Sequence, residues 1–148
     1  MQTSRLALYK EKQMTPDGKY IIAVDFDGTL ITGNTWPDVA GMPNLALINH
    51  LISERRRGNK IILYTCRTDT HLKVAVDYCK AAGPEFDAVN ENLPELIEAY
   101  GSDTRKISAD IYIDDHACHP ESVSWSFFNE FGMSITDQHL YKKEVVRK

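Results

Sequence analysis

The sequence predicts an α/β fold built around a mostly parallel sheet, and three observations carry that prediction. Short apolar runs recur at Tyr20–Val24, Lys60–Tyr64 and Ala109–Ile113. Such runs suit strands buried on both faces. Between them lie stretches with apolar residues at helical spacing, and strand–helix alternation implies parallel strands joined by right-handed crossovers. The polar residues that break the runs all stand at the carboxyl ends: Asp25 and Asp27, Thr65 and Arg67, Asp114 and Asp115. Ligands of open parallel sheets bind at that edge.

Each element has its own signal. Leu6 to Tyr9 reads as a short edge strand, and Pro16, Asp17 and Gly18 as a turn before the first core strand. A loop rich in Gly, Asn and Pro runs from Thr32 to about Met42. Pro43 is expected in the first turn of a helix carrying Leu45, Ile48, Leu51 and Ile52, with Gly58 as its stop. The basic run Arg55-Arg56-Arg57 falls at that helix end, where it complements the dipole better than it serves a polyanion. A helix over about 70–82 closes at Gly83-Pro84, and Phe86–Val89 reads as a short strand. Pro94 opens a helix with Leu96, Ile97 and Tyr100 that Gly101 ends. A helix is expected over 123–131, with a short strand or tail after it.

Composition narrows the function classes. With 148 residues, one catalytic domain is expected over 1–148, with residues 1–19 as an N-terminal extension and a core over about 20–131. Lys and Arg number 17 against 21 Asp and Glu, a net charge of −4, which disfavours broad nucleic-acid binding. Nucleic acid then enters only as a substrate. Three cysteines and no apolar leader suggest a reduced, cytoplasmic setting. No run reaches the ~20 apolar residues of a membrane span.

Carboxylates gathered at one sheet edge repel one another, and a divalent cation relieves this. Oxygen ligands without histidine favour a hard ion, Mg²⁺, which commonly bridges to a phosphate. Lys106, just ahead of the last strand, can bring a positive charge to the same edge, and Thr65 a hydroxyl. Gly28 leaves backbone N–H groups open to close approach by an anion. Together these suit charge stabilisation in phosphoryl transfer, with a carboxylate as nucleophile and a second as proton donor and acceptor.

The order Asp25-Phe26-Asp27-Gly28-Thr29-Leu30, then Thr65, Lys106 and Asp114-Asp115, resembles the haloacid dehalogenase (HAD) superfamily of phosphohydrolases over about residues 20–120. The resemblance implies a Rossmann-like three-layer sandwich. It implies Asp25 as nucleophile and Asp27 as general acid and base, with Thr65 and Lys106 on the phosphoryl group. It also implies Mg²⁺ held by the Asp25 carboxylate, the Asp27 backbone carbonyl and the Asp114 carboxylate, with Asp115 in support. Thr65-Cys66-Arg67, the segment from Phe86 to Asn92 and Tyr112 to Asp115 are similar to a small bacterial subgroup without a cap domain. Only about a dozen residues follow Leu30 before the next helix, and 41 separate Thr65 from Lys106, so no cap domain is expected. An open site would take a small phosphorylated substrate, or phosphate on a macromolecule. A second copy of the chain could cover it.

Several residues keep two readings. Arg67 either binds substrate phosphate or pairs with Asp69. Trp36 either faces the substrate opening or packs its loop down. Asn90 and Asn92 either serve substrate or simply precede a helix that Asn92 or its neighbour caps. Cys66 reads as a buried small residue, and His116, Cys118 and His119 as a solvated loop rather than a zinc site. The competing functions are a HAD-like fold kept for binding or regulation with little turnover, and a phosphoacceptor receiver domain. A receiver has its acidic pair on the first strand and its lysine last, the reverse of the order here.

Overall fold

A computed structural model describes residues 15–123 and 129–147. The expected strand at Leu6 to Tyr9 lies outside these residues, as does most of the expected helix over 123–131. The chain divides into two compact units, Met1–Asp115 and His116–Lys148.

The first unit is a three-layer α/β sandwich. Its elements are β1 (Ile21–Val24), β2 (Ile31–Thr32), β3 (Met42–Pro43), α1 (Leu45–Arg56), β4 (Lys60–Leu63), α2 (Asp69–Ala82), β5 (Ala88–Val89), α3 (Pro94–Tyr100) and β6 (Ile111–Ile113). The central sheet has the order β5-β4-β1-β6, and every pairing in it is parallel. Alternation along β1 builds two cores. Ile22 and Val24 pack with Ile48, Leu51, Ala75 and Cys79 on the α1 and α2 side. Ile21 and Ala23 pack with Leu93, Leu96 and Ile107 on the α3 side. Among the described residues no cap domain interrupts this unit. The stretch after β1 holds only the antiparallel β2–β3 ribbon, and the stretch from Thr65 to Lys106 is filled by α2, β5 and α3.

The start of α1 differs from expectation. Pro43 pairs with Ile31 in the ribbon rather than opening the helix. Asn44 caps α1 instead, its Oδ1 accepting from the Leu47 N–H at 3.3 Å. Its Nδ2 donates to the Thr29 carbonyl at 3.2 Å, so the same residue ties the helix to the loop after β1.

In the second unit a 3₁₀ turn covers Pro120–Ser122 and a helix, α4, covers Ile135–Arg147. This helix stands where the sequence suggested a strand or tail. Its start carries a reciprocal capping pattern, with Ser134 N–H donating to Asp137 Oδ2 at 3.1 Å and Asp137 N–H returning to Ser134 Oγ at 3.4 Å. Among the described residues no helix is long and apolar enough to cross a membrane.

Candidate active site

Strand register builds the site. Val24 lies beside Ile113 in β6 and beside Leu63 in β4. The residues after them, Asp25 and Asp114, therefore leave adjacent strands at one level and toward one face. The ladder runs on past the strands: Asp25 N–H donates to the Ile113 carbonyl at 2.9 Å, Tyr64 N–H to Val24 at 2.9 Å and Asn90 N–H to Leu63 at 2.8 Å. Across the sheet the carboxyl ends thus present Asn90, Thr65, Asp25 and Asp114 in that order.

Asp25, Asp114 and Asp115 each bring a carboxylate oxygen within 4.8 Å of the other two, the only such group of His, Cys, Asp or Glu among the described residues. Burial, then the neighbouring Asp114 charge, push the half-buried Asp25 up to about 6, against hydrogen bonds from the Phe26 N–H and the Thr29 hydroxyl. Thr29, which sequence reasoning passed over, is the hub of this corner. Its hydroxyl reaches Asp25 Oδ2 at 3.2 Å and Asp115 Oδ1 at 3.4 Å, and it accepts the Asp115 N–H at 3.1 Å.

Gly28 has a different task from the one expected. Its N–H donates to the Ile31 carbonyl at 2.8 Å and so turns inward rather than toward an anion. Glycine is needed here because φ is +81° and a Cβ would stand 2.4 Å from Asp115 Oδ2. The residue makes room for the third carboxylate.

Asp27 and Arg67 form the second corner. Arg67 is 1% exposed and pairs with neither Asp69 nor an open phosphate site. Its Nε donates to Asp27 Oδ2 and its Nη2 to Asp27 Oδ1, both at 2.8 Å. Nη2 also reaches the Thr35 carbonyl at 2.6 Å, and Nη1 reaches those of Pro37 and His71 at 3.2 and 3.3 Å. All five guanidinium donors are thereby used inside the protein. Burial alone would raise Asp27, but hydrogen bonds from Arg67 and Thr35 and the guanidinium charge hold it below the usual carboxylate range. Asp27, expected to move protons, is therefore held ionised in this arrangement.

Two asparagines position what remains. Asn90, at a left-handed φ of +52°, accepts the Thr65 N–H at 2.8 Å and donates to the Arg67 carbonyl at 3.3 Å. The Thr65 hydroxyl accepts the Arg67 N–H at 3.2 Å. Asn92 is buried and does not cap α3, whose N-cap is Leu93. Its Nδ2 reaches Asp103 Oδ1 at 2.8 Å and its Oδ1 accepts the Ser108 N–H at 2.7 Å, fixing both ends of the loop that carries Lys106. Lys106 is exposed, with Nζ 5.5 Å from the centre of the Tyr112 ring. Cys66 is exposed rather than buried.

A cavity of about 450 Å³ lies elsewhere, lined in part by Arg55, Arg56, Lys80 and Glu85. It sits where α1 and α2 end, and helix C-termini repel anions. Arg55 is already spent on Glu85 at 2.8 Å and Asp87 at 3.3 Å.

No protein-family model and no curated protein matches the chain. A solved structure described as a conserved protein coded by a locus of Bacteroides thetaiotaomicron is similar to it, with 29% identity and a TM-score of 0.59. The match covers 80% of this chain and 96% of that one. The α/β architecture is thus one that another chain adopts.

Proposed function

We propose that the chain is a Mg²⁺-dependent phosphatase that cleaves a phosphate monoester through an aspartyl-phosphate. One observation carries the reading: Asp25 and Asp114 leave adjacent parallel strands abreast, with Asp115 beside them and Asp25 pushed up to about 6. Carboxylates gathered at one sheet edge repel one another, and a cation relieves that repulsion. An oxygen-only donor set fits a hard divalent cation. Asp25, Asp114 and the Asp27 carbonyl would hold Mg²⁺, with Asp115 in support, and the ion would neutralise phosphoryl oxygens and the carboxylates themselves.

The chain's own residues then divide the work. An Asp25 oxygen attacks phosphorus, the new O–P bond forms and the ester O–P bond breaks. Asp27, which takes a proton from solvent when part of its Arg67 clasp opens, gives that proton to the leaving oxygen. Thr65 and Lys106 hold the phosphoryl oxygens, Lys106 swinging from Tyr112 on its flexible stem. Water then attacks phosphorus and loses its proton to Asp27, and the Asp25 bond breaks to release inorganic phosphate. The Arg67 clasp favours the ionised Asp27 that takes a proton from water; the first half-reaction requires part of that clasp to open. The substrate is a small phosphorylated molecule, and the setting is cytoplasmic.

The same clasp favours the competing reading, a fold kept for binding or regulation with little turnover. The test is hydrolysis of an aryl phosphate with Mg²⁺ by wild type and Asp25→Asn. Activity confined to wild type is expected, and equal rates would overturn the mechanism. Wild type inert across a panel of phosphate esters would favour the binding protein.

A further inference from the structure

Trp36 is 56% exposed, although it is gripped from beneath. The carbonyls on either side of it, Thr35 and Pro37, both accept from the buried Arg67. The guanidinium carbon stands 5.0 Å from the centre of the Trp36 ring and 5.0 Å from that of Phe26. The His71 ring lies 4.6 Å away at a tilt of 45°. A tryptophan that only packed its loop down would bury its ring, as Thr35 beside it is buried. Here the backbone is held by Arg67, and the ring meets Arg67 and His71 while more than half of the residue's surface stays open to solvent. The group that fixes it is the one that clasps Asp27 at 2.8 Å, so the indole stands one guanidinium away from the proton-transfer carboxylate. The exposed part of the indole thus sits on the loop that is tied to the Asp27 clasp, and a planar side chain with few rotatable bonds loses little entropy on stacking.

We infer that Trp36 is a specificity-determining residue whose open ring surface stacks on a planar ring in the alcohol part of the phosphate monoester. The inference rests on the phosphatase reading and adds the substrate class. Two non-hydrolysable probes, benzylphosphonate and cyclohexylmethylphosphonate, differ in the planarity of the ring and share the phosphoryl group. Calorimetry with Mg²⁺ should show wild type binding the benzyl compound about tenfold more tightly, and Trp36→Ala bringing the two to within about twofold, as expected for loss of one stacked ring. Trp36→Phe should keep most of the preference. Parity in wild type, binding of neither probe, or a preference that survives Trp36→Ala would overturn the inference. Equal weakening of both probes in Trp36→Ala would overturn it too, since a merely structural role acts through the loop. The phosphatase reading fails on a separate measurement, hydrolysis of benzyl phosphate by Asp25→Asn at the wild-type rate. A ring preference that persisted then would leave a binding site without the chemistry.

Discussion

The two acidic corners of the site lie two residues apart in sequence and are opposite in physics. At Asp27 a half-buried carboxylate meets a fully buried guanidinium whose every donor is used, and its proton affinity falls. At Asp25 burial comes first and the neighbouring Asp114 and Asp115 carboxylates add to it, and the proton affinity rises. One charge is balanced by the fold and anchors it. The other is left unbalanced, and its repulsion is released only when a cation or a proton arrives. Burial raises both carboxylates; a guanidinium partner overturns that at Asp27 and like charges add to it at Asp25.

The largest effect should come from the unbalanced corner. Asp25→Asn removes the nucleophile and should lower kcat for an aryl phosphate by about 10³-fold or more. The same variant should be the more stable protein without metal. Wild-type Asp25 binds its proton more tightly folded than unfolded, so its ionisation costs stability as pH rises through about 6 and relieves that cost as pH falls. Partial solvent screening reduces the gain from Asp25→Asn at pH 7 to on the order of 1 kcal/mol, read by urea unfolding. Added Mg²⁺ should erase the difference by stabilising wild type alone. If the variant were less stable than wild type, Asp25 would be a balanced charge like Asp27.

The balanced corner should respond in the opposite sense. Arg67→Met leaves Asp27 without its partner and three carbonyls without a donor, and should cost about 3–5 kcal/mol of folding stability in urea. A loss of under about 1 kcal/mol would mean that the pair is not carrying the ribbon loop.

Gly28→Ala tests the seam between the corners. A Cβ at φ +81° and 2.4 Å from Asp115 Oδ2 strains the backbone by about 1–2 kcal/mol and displaces the third carboxylate. Weaker Mg²⁺ binding by calorimetry should accompany the loss of stability. Unchanged metal affinity would remove Asp115 from the site.

The smallest effect makes the control. Lys73 and Asp77 form the same kind of ion pair as Arg67 and Asp27, but both are exposed on α2. Lys73→Ala should leave the unfolding midpoint where it is, because water already solvates both charges.

The outline of this chain was legible in its sequence because local rules and tertiary structure agree there. Apolar runs bounded by polar residues marked β1, β4 and β6. Pro94 and Gly101 bracketed α3, and Gly83 closed α2. The motif residues fell at strand ends because the strands themselves are simple to read. Ser134 and Asp137, three positions apart, are the local signal for α4, which stands where a short strand or tail was expected.

What only the folded chain decided is partner choice. A sequence places Arg67 two residues after Thr65 and offers Asp69 two residues further on; it does not say that the guanidinium turns instead to Asp27, forty positions back, and to the carbonyls around Trp36. Nor does it say whether a glycine N–H faces an anion or a carbonyl, or that Asn92 holds the Lys106 loop rather than capping α3. Strands and helices follow from periodicity, a property of neighbours in the chain. Hydrogen-bond partners follow from register and crossover, which bring distant residues to one edge, and the competition there is decided by burial: a charge taken out of water accepts whichever partner the tertiary structure puts within reach.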